Sequence, residues 1–271
     1  MPTPQHPVLN GDVSGLMSLF WLSQGMEEVP SSEEWLSARE LAWLSGMRFP
    51  KRRSEFRLGR WTAKNALALY LSRPRGLADL RCITIDRFPD GAPRPFVDSE
   101  PALASISMTD RADQAVCVIG PPGPALGCDL EIVEPRSDVF VLDYLTAEEQ
   151  QAVGEARSDE ERHVLANLIW CGKESALKVL RTGLRRDTRS VVVSFPDAPT
   201  QDGWKPLLVR AVEGASFPGW WRRYGEFLLT VTASEAQPPP RPFVDPPGLA
   251  SAVPAHSWLG AISSTPGKGR A

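Results

Sequence analysis

Two long helical patterns, each preceded by a strand and followed by several more, constrain this chain more tightly than any other feature. The first, PKRRSEFRLGRWTAKNALALYLS, covers residues 50–72, and the second runs from about 159 to 181. Each has a shorter helical pattern upstream. In SSEEWLSARELAWL (31–44), Ser31 or Ser32 can cap the helix and acids fill its first turn. In the second half Thr146 precedes Glu149 and Ser158 precedes Glu161, two capping-box signatures. Strand patterns fall at 16–22, 80–86, 103–108, 114–120 and 125–133, then at 190–195, 206–212 and 226–234. Residues 16–234 therefore divide into two halves with two helices and several strands each. That is the pattern of a duplicated α+β unit, and a cleft between two such halves is a natural ligand site.

The chain has 271 residues, enough for one large domain or two small ones, and 42% of them are hydrophobic, so a sizeable core can form. A net charge of -3 argues against a general binder of nucleic acid or of membrane surfaces. No run reaches the roughly 18 apolar residues that a membrane span needs. SGLMSLFWLS follows Asp12 and is short, which predicts a strand instead of a signal peptide, and the expected compartment is the cytoplasm. Cys82, Cys117, Cys128 and Cys171 form no CxxC pair and sit mostly in apolar runs, as reduced buried thiols do. His6, His163 and His256 match no zinc-ligand spacing. QPPPRPFVDPPG (237–248) favours extended polyproline, so residues 236–271 are expected to be a tail. It either docks through Phe243 or Trp258 or stays flexible, and it is dispensable if it is only a solvated extension.

Three groupings can carry chemistry. In GCDLEIVEPRS (127–137), Asp129 and Glu131 lie two apart, which on a strand places both on one face and turns Leu130 and Ile132 to the other. Side-by-side carboxylates repel unless a cation sits between them, and oxygens at that spacing suit Mg²⁺. A solvated strand face is the alternative. In WCGKESALKVL (170–180), Glu174 and Lys178 lie four apart on a helix. They form either a surface ion pair or, with Trp170 one turn earlier, a partly buried site. In the 50–72 helix, Arg53, Arg57, Arg60 and Lys64 form a cationic stripe beside an apolar one of Phe56, Ala63, Leu67 and Tyr70. Either a phosphate-bearing ligand relieves their repulsion, or Glu55 and solvent do. Gly59 in mid-helix costs about 1 kcal/mol relative to alanine and lets another group approach closely. There is no Walker loop, no GxGxxG after a strand, no GxSxG elbow and no histidine placed for a triad. The remaining chemistry is metal, carboxylate and lysine acting on phosphates. A metal-dependent phosphodiester hydrolase would need more acids in the cluster and a wider basic face.

GCDLE, with WCGKESALK some forty residues on, resembles the signature of the 4'-phosphopantetheinyl transferase superfamily, a G-[IV]-D-x-E strand and a [FW]-x-x-K-E-[SA]-x-x-K helix. KRRSEFRLGRWTAKNAL and GLRRDTRSVVVSF (183–195) resemble the family's flanking segments, in the same order. The resemblance covers roughly residues 45–195 and points to the monomeric, two-lobed members of the surfactin-synthetase-activator and enterobactin type. It implies an α+β pseudo-dimer of two similar α/β lobes with coenzyme A in the cleft: 1–123, then 124–235 with the metal site, then the 236–271 tail. The implied reaction moves the phosphopantetheine arm of coenzyme A to a serine of an acyl or peptidyl carrier protein and releases 3',5'-ADP. Nucleic acid and membranes are not expected partners.

By the same resemblance Asp129, Glu131 and Glu174 would hold Mg²⁺ or Mn²⁺ against the pyrophosphate. Lys178 would neutralise phosphate charge, and Glu174 would take the serine proton, directly or through a water. Arg60 would meet the 3'-phosphate end and Arg87 another part of the ligand, with Arg53 and Lys64 as helpers from the stripe. Ser107 and Thr109 flank Met108, which stands where the family often has the histidine of Ser-His-Ser. Ala92 stands where it usually has a loop lysine, with Arg94 as a substitute. These two departures imply weaker coenzyme A binding. They leave an alternative, a catalytically weak relative that binds carrier proteins as a regulatory module.

Overall fold

The computed structural model describes residues 18–255. The first two residues of the expected 16–22 strand, together with His6, His256 and Trp258, lie outside them. Within them the chain is mixed α+β, with several sheets and six α-helices.

The first half opens with β1 (Phe20–Gly25), then α1 (Ala38–Ser45) and α2 (Pro50–Tyr70). Pro50 at the first helical position suits α2, since its missing N–H would have had no intrahelical partner. α1 starts later than expected. Its N-cap is Ser37, not Ser31 or Ser32, and Ser37 and Glu40 make a reciprocal capping box. Trp35 and Leu36, just before it, are fully buried. A short α3 (Leu77–Arg81) leads to β2 (Ile83–Arg87), β3 (Pro93–Val97) and the two-residue β4 (Glu100–Pro101), which form a small sheet. β5 (Ser105–Arg111) and β6 (Gln114–Gly120) return beside β1.

The second half begins with β7 (Leu126–Ile132), continues through α4 (Asp138–Tyr144), α5 (Ala147–Gly154) and α6 (Asp159–Val179), and ends with β8 (Val191–Ser194), β9 (Lys205–Ala211), β10 (Ser216–Tyr224) and β11 (Phe227–Ala233). These strands make one antiparallel sheet in the order β7-β11-β10-β9-β8. The two large sheets share a central core in which Trp21, Val116 and Val118 pack with Leu130, Ile132, Leu229 and Val231. β5 also meets β7 through side chains. Ser107 Oγ accepts the Cys128 N–H at 2.9 Å and Thr109 Oγ1 accepts that of Leu130 at 3.3 Å, so two hydroxyls satisfy the outer edge of β7.

Each half contains the same buried device. In the first, Glu40 accepts the Ser37 N–H of its own cap (3.0 Å), the Ile85 N–H of β2 (3.0 Å) and the ammonium of Lys64 from α2 (2.5 Å). In the second, Glu149 accepts the Thr146 N–H of its cap (2.8 Å), the Val193 N–H of β8 (2.8 Å) and the ammonium of Lys173 from α6 (2.7 Å). Both lysines are 0% exposed and occupy the same position of a 21-residue helix. Each ammonium also donates to backbone carbonyls, that of Trp35 in one half and those of Thr188 and Val191 in the other. Burial pulls both ammonium groups below the usual lysine range, against the pull of the paired acids. Glu40→Ala would strand a buried ammonium and two backbone donors, so we expect a loss of about 3–5 kcal/mol in urea unfolding.

The proline-rich segment is not a detached tail. Arg241–Pro242 (β12) pairs in parallel with Phe20–Trp21 on the open edge of β1. Phe243 stacks on Phe20 at 5.1 Å, and Leu249 is fully buried in the central core. Its polyproline character gives a strap that needs few backbone partners, and its apolar side chains reach a core already formed. A chain ending at Ala236 should lose at least about 2 kcal/mol for Leu249 alone, read as a lower midpoint in urea.

Candidate active site

β7 delivers Asp129 and Glu131 to one face, turned toward α6, while Leu130 and Ile132 enter the central core as the alternation requires. Neither carboxylate is solvated: Asp129 is 6% and Glu131 9% exposed. α6 crosses β7 so closely at Gly127 that a Cβ there would stand 1.9 Å from the Ser175 carbonyl oxygen. That contact sets the turn carrying Glu174 and Lys178 against Asp129.

Lys178 Nζ donates to Asp129 Oδ1 at 2.8 Å and to the Cys128 carbonyl at 2.7 Å. Thr109 Oγ1 donates to the same Asp129 oxygen at 3.1 Å. The other oxygen, Asp129 Oδ2, is buried without a partner, and so is Glu174 Oε1. Burial, with the neighbouring Asp129 and Glu131 and against Lys178, pushes the Glu174 carboxyl up to about 7. Burial pulls Lys178 down, but Asp129, with help from Glu174, outweighs it and holds the ammonium above the ordinary lysine range. The site thus sets one buried and one half-buried carboxylate against one ammonium and leaves a buried oxygen on each acid without a donor. That arrangement fits a hard divalent cation.

Glu131 is different. Its Oε1 accepts the Trp170 indole N–H at 2.9 Å, and its Oε2 accepts Arg136 Nη2 at 2.9 Å with Arg111 Nε 3.3 Å away. Of the three acids that the sequence suggests for one ion, Asp129 and Glu174 each carry a buried oxygen without a hydrogen-bond partner, and both oxygens of Glu131 accept a bond. Among the described residues no three His, Cys, Asp or Glu side chains form a ready-made metal cluster.

Lys178 opens onto a cavity of about 540 Å³ between the halves. Ser107, Met108, Arg94 and Arg181 share its wall, and Phe88 with Gly91 and Ala92 forms part of its rim. Met108 packs on α2, its Cε 3.3 Å from where a Cβ on Gly59 would lie. The Arg94 and Arg181 guanidiniums stand 5.2 Å and 4.8 Å from the Phe88 ring centre, and Arg181 reaches Asp90 at 3.5 Å. Arg181 is not among the expected site residues; it lies just past the end of α6, with φ 57°, three residues after Lys178. Thr109 orients Asp129 instead of facing the cavity, whereas Ser107 does both, bonding β7 and lining the wall.

The cationic stripe of α2 does not form a phosphate-binding face. Lys64 is sealed inside with Glu40. Arg53 donates to the Leu44 carbonyl at 2.5 Å and stands 3.6 Å from Glu33, and Arg57 donates to the carbonyls of Pro30 and Ser31. The covering groups come from the chain before α2, which periodicity within the helix cannot show. Arg60 and Arg87 do come together, 5.9 Å and 5.3 Å from the Trp43 ring centre, but neither lines the cavity. Arg60 is largely buried, 4.6 Å over Phe56 and 3.8 Å from Glu40.

No curated protein matches the chain. A family model does match, over a segment that begins just before β7, contains the whole of α6 and ends in β10. It holds Asp129, Glu131, Glu174 and Lys178 together, so residues 125–217 are a domain of the 4'-phosphopantetheinyl transferase superfamily.

Proposed function

We propose that this protein transfers the 4'-phosphopantetheine arm of coenzyme A to a serine of an acyl or peptidyl carrier protein, with Mg²⁺ or Mn²⁺ held by Asp129 and Glu174. The observation that carries this reading is the pair of buried, partnerless oxygens on those acids, beside a lysine that faces a cavity of about 540 Å³. The repeated glutamate–lysine device in the two halves supports a pseudo-dimer of similar lobes with the ligand between them.

In this mechanism the serine Oγ forms a bond to the phosphorus that bears pantetheine, the bridging P–O bond of the pyrophosphate breaks, and 3',5'-ADP leaves. Glu174 receives the serine proton, directly or through a water, on the carboxylate oxygen that does not face the ion. Lys178 holds Asp129 in place and offers positive charge to the phosphate oxygens as the bridge breaks. Arg94 and Arg181 bring further positive charge to the cavity wall. Thr109 keeps Asp129 from rotating, and Phe88 and Met108 exclude water from that wall. When bound, the divalent ion supplies charge neutralisation at the pyrophosphate. Positioning and charge stabilisation are what phosphoryl-type transfer asks of a protein.

The test is to incubate the chain with coenzyme A, Mg²⁺ and an apo carrier protein and to weigh the carrier. A gain of the phosphopantetheine mass supports transfer. Carrier binding without a gain favours the regulatory module, a reading kept open by Met108 and Ala92. Lys178→Ala should lower kcat by about 10²-fold and coenzyme A affinity by less, measured by single-turnover transfer and by titration calorimetry.

A further inference from the structure

We infer that Arg181 is a specificity-determining residue for the donor, the cation that reads a phosphate of its nucleotide half, and that Asp90 stands against it as an internal competitor which the phosphate displaces. The inference deepens the proposed transferase reading and rests on it for the identity of the ligand.

Arg181 holds a place that normally belongs to glycine. Leu180 caps α6, and beyond it the Arg181 N–H bonds the Lys178 carbonyl at 3.1 Å while the Thr182 N–H bonds that of Leu177 at 3.1 Å. Those two bonds make a Schellman motif with Arg181 at its left-handed position, φ 57°. A side chain there crowds the backbone, which is why glycine is preferred. Such strain is characteristic of ligand clamps, where the side chain is needed. The motif also fixes where the guanidinium emerges, on the wall of the cavity that Lys178 faces.

What meets Arg181 comes from the other half. The chain between β2 and β3 turns tightly, with the Phe88 N–H on the Ala92 carbonyl and the Gly91 N–H on the Phe88 carbonyl, both at 2.8 Å. Asp90 Oδ1 accepts the Ala92 N–H at 3.0 Å and closes the turn. Its other oxygen, Oδ2, accepts Arg181 Nη1 at 3.5 Å. Arg185 ties the two backbones, donating to the Arg181 carbonyl at 3.1 Å and to the Asp90 carbonyl at 3.4 Å.

The Arg181–Asp90 pair is suited to exchange. It is long, and its side chains are 46% and 32% exposed, so it contributes little by itself. Arg94, Arg181 and Arg185 gather at this turn, and among the described residues Asp90 is the only carboxylate within ion-pair distance of any of them. The rim therefore keeps an excess of positive charge. A phosphate carries more charge than one carboxylate and can engage the guanidinium fork at two points, so it wins the exchange. The turn persists without that pair, because Asp90 Oδ1 and Arg185 hold it by separate bonds.

The experiment uses the full chain with Mg²⁺ present throughout. Coenzyme A and, separately, 3',5'-ADP are titrated by calorimetry at low salt, and transfer is followed by carrier mass gain. Arg181→Gly should weaken both ligands by about tenfold, with a urea midpoint close to the parent's because the backbone there favours glycine. KM for coenzyme A should rise by a similar factor and kcat should change less. Arg181→Lys keeps the charge without the fork and should fall between. Asp90→Asn keeps the acceptor that closes the turn and removes the competing charge, so both ligands should bind about threefold more tightly. In the double variant Arg181→Gly with Asp90→Asn that gain should vanish, since it acts through Arg181. A contact that only held the halves together would weaken binding in both single variants. Weaker binding in Asp90→Asn, a gain that survives in the double variant, or an Arg181→Gly chain that binds 3',5'-ADP as the parent does would each overturn the inference. If the calorimetric pattern holds but the carrier gains no mass, the role of Arg181 stands and the transferase reading fails. Mass gain with affinities indifferent to both residues leaves the transferase reading and removes the inference.

Discussion

Gly127→Ala is expected to destabilise the protein by about 3 kcal/mol or more, at the upper end of what overpacking causes. The added Cβ would stand 1.9 Å from the Ser175 carbonyl oxygen, 2.8 Å from its carbon and 3.0 Å from Val179 Cγ2. The first two are backbone atoms in mid-helix. They cannot turn aside as a side-chain tip would, so relief requires α6 to lift from β7. The same movement separates Glu174 and Lys178 from Asp129, and a displacement near 1 Å costs about 10²-fold in turnover. Urea unfolding and carrier mass gain should therefore fall together. Gly154→Ala is the matched control. It ends α5, has nothing within 4 Å of its Cβ position, and should be neutral or gain up to about 1 kcal/mol. A Gly127→Ala protein as stable as the parent would show that α6 does not rest on β7 as described.

The residues that were legible in the sequence are those whose neighbours lie within the same element. Asp129 and Glu131 share a strand face because alternation demands it, and Glu174 and Lys178 share a helix face for the equivalent reason. Both long helices carry their own start signals, Pro50 in one and Ser158 in the other. Even there a detail differs, since Glu161 accepts the N–H of Arg157, one residue before the cap, instead of closing the box on Ser158. β10 has no strand pattern in the sequence, because Pro218 and Gly219 interrupt it. Gly219 is there because a Cβ would meet the Val231 carbonyl at 2.2 Å, a contact made across the sheet. α4 follows Pro135 and has only seven residues, too few for a periodic signal.

The stripe of α2 shows the same limit from the other side. Periodicity placed Arg53, Arg57, Arg60 and Lys64 on one face but could not say what covers that face. Glu40 and four carbonyls do, all from the segment before the helix. Glu131 likewise looked like the twin of Asp129. Its difference comes from Arg111, Arg136 and Trp170, one from another strand, one from the connection after β7 and one from α6. Spacing identifies which residues can meet, and the groups brought in from elsewhere decide which of them keeps an oxygen without a hydrogen-bond partner.

Glu174→Gln should abolish transfer and, in the metal-free protein, raise stability. The activity arm follows from the two roles given to Glu174, acceptor of the serine proton and ligand of the ion, and the expected loss is about 10³-fold or more. The stability arm follows from its environment. Burial and the nearby Asp129 raise the carboxyl from the ordinary 4.5 to about 7. Between those values the folded protein keeps a proton that the unfolded chain has released, so stability falls as pH rises through the window and stays lowered above it. Glutamine carries no charge to desolvate or repel, so the variant should show a shallower fall. At pH 8 in EDTA it should exceed the parent by an amount on the order of 1 kcal/mol. Adding Mg²⁺ should then stabilise the parent and leave the variant almost unmoved, because only the parent offers both free oxygens. The measurement is a set of urea unfolding curves from pH 4 to 8, with and without Mg²⁺. A variant less stable than the parent at pH 8 in EDTA would mean that Glu174 is satisfied by the protein itself, and the case for an ion between it and Asp129 would be lost.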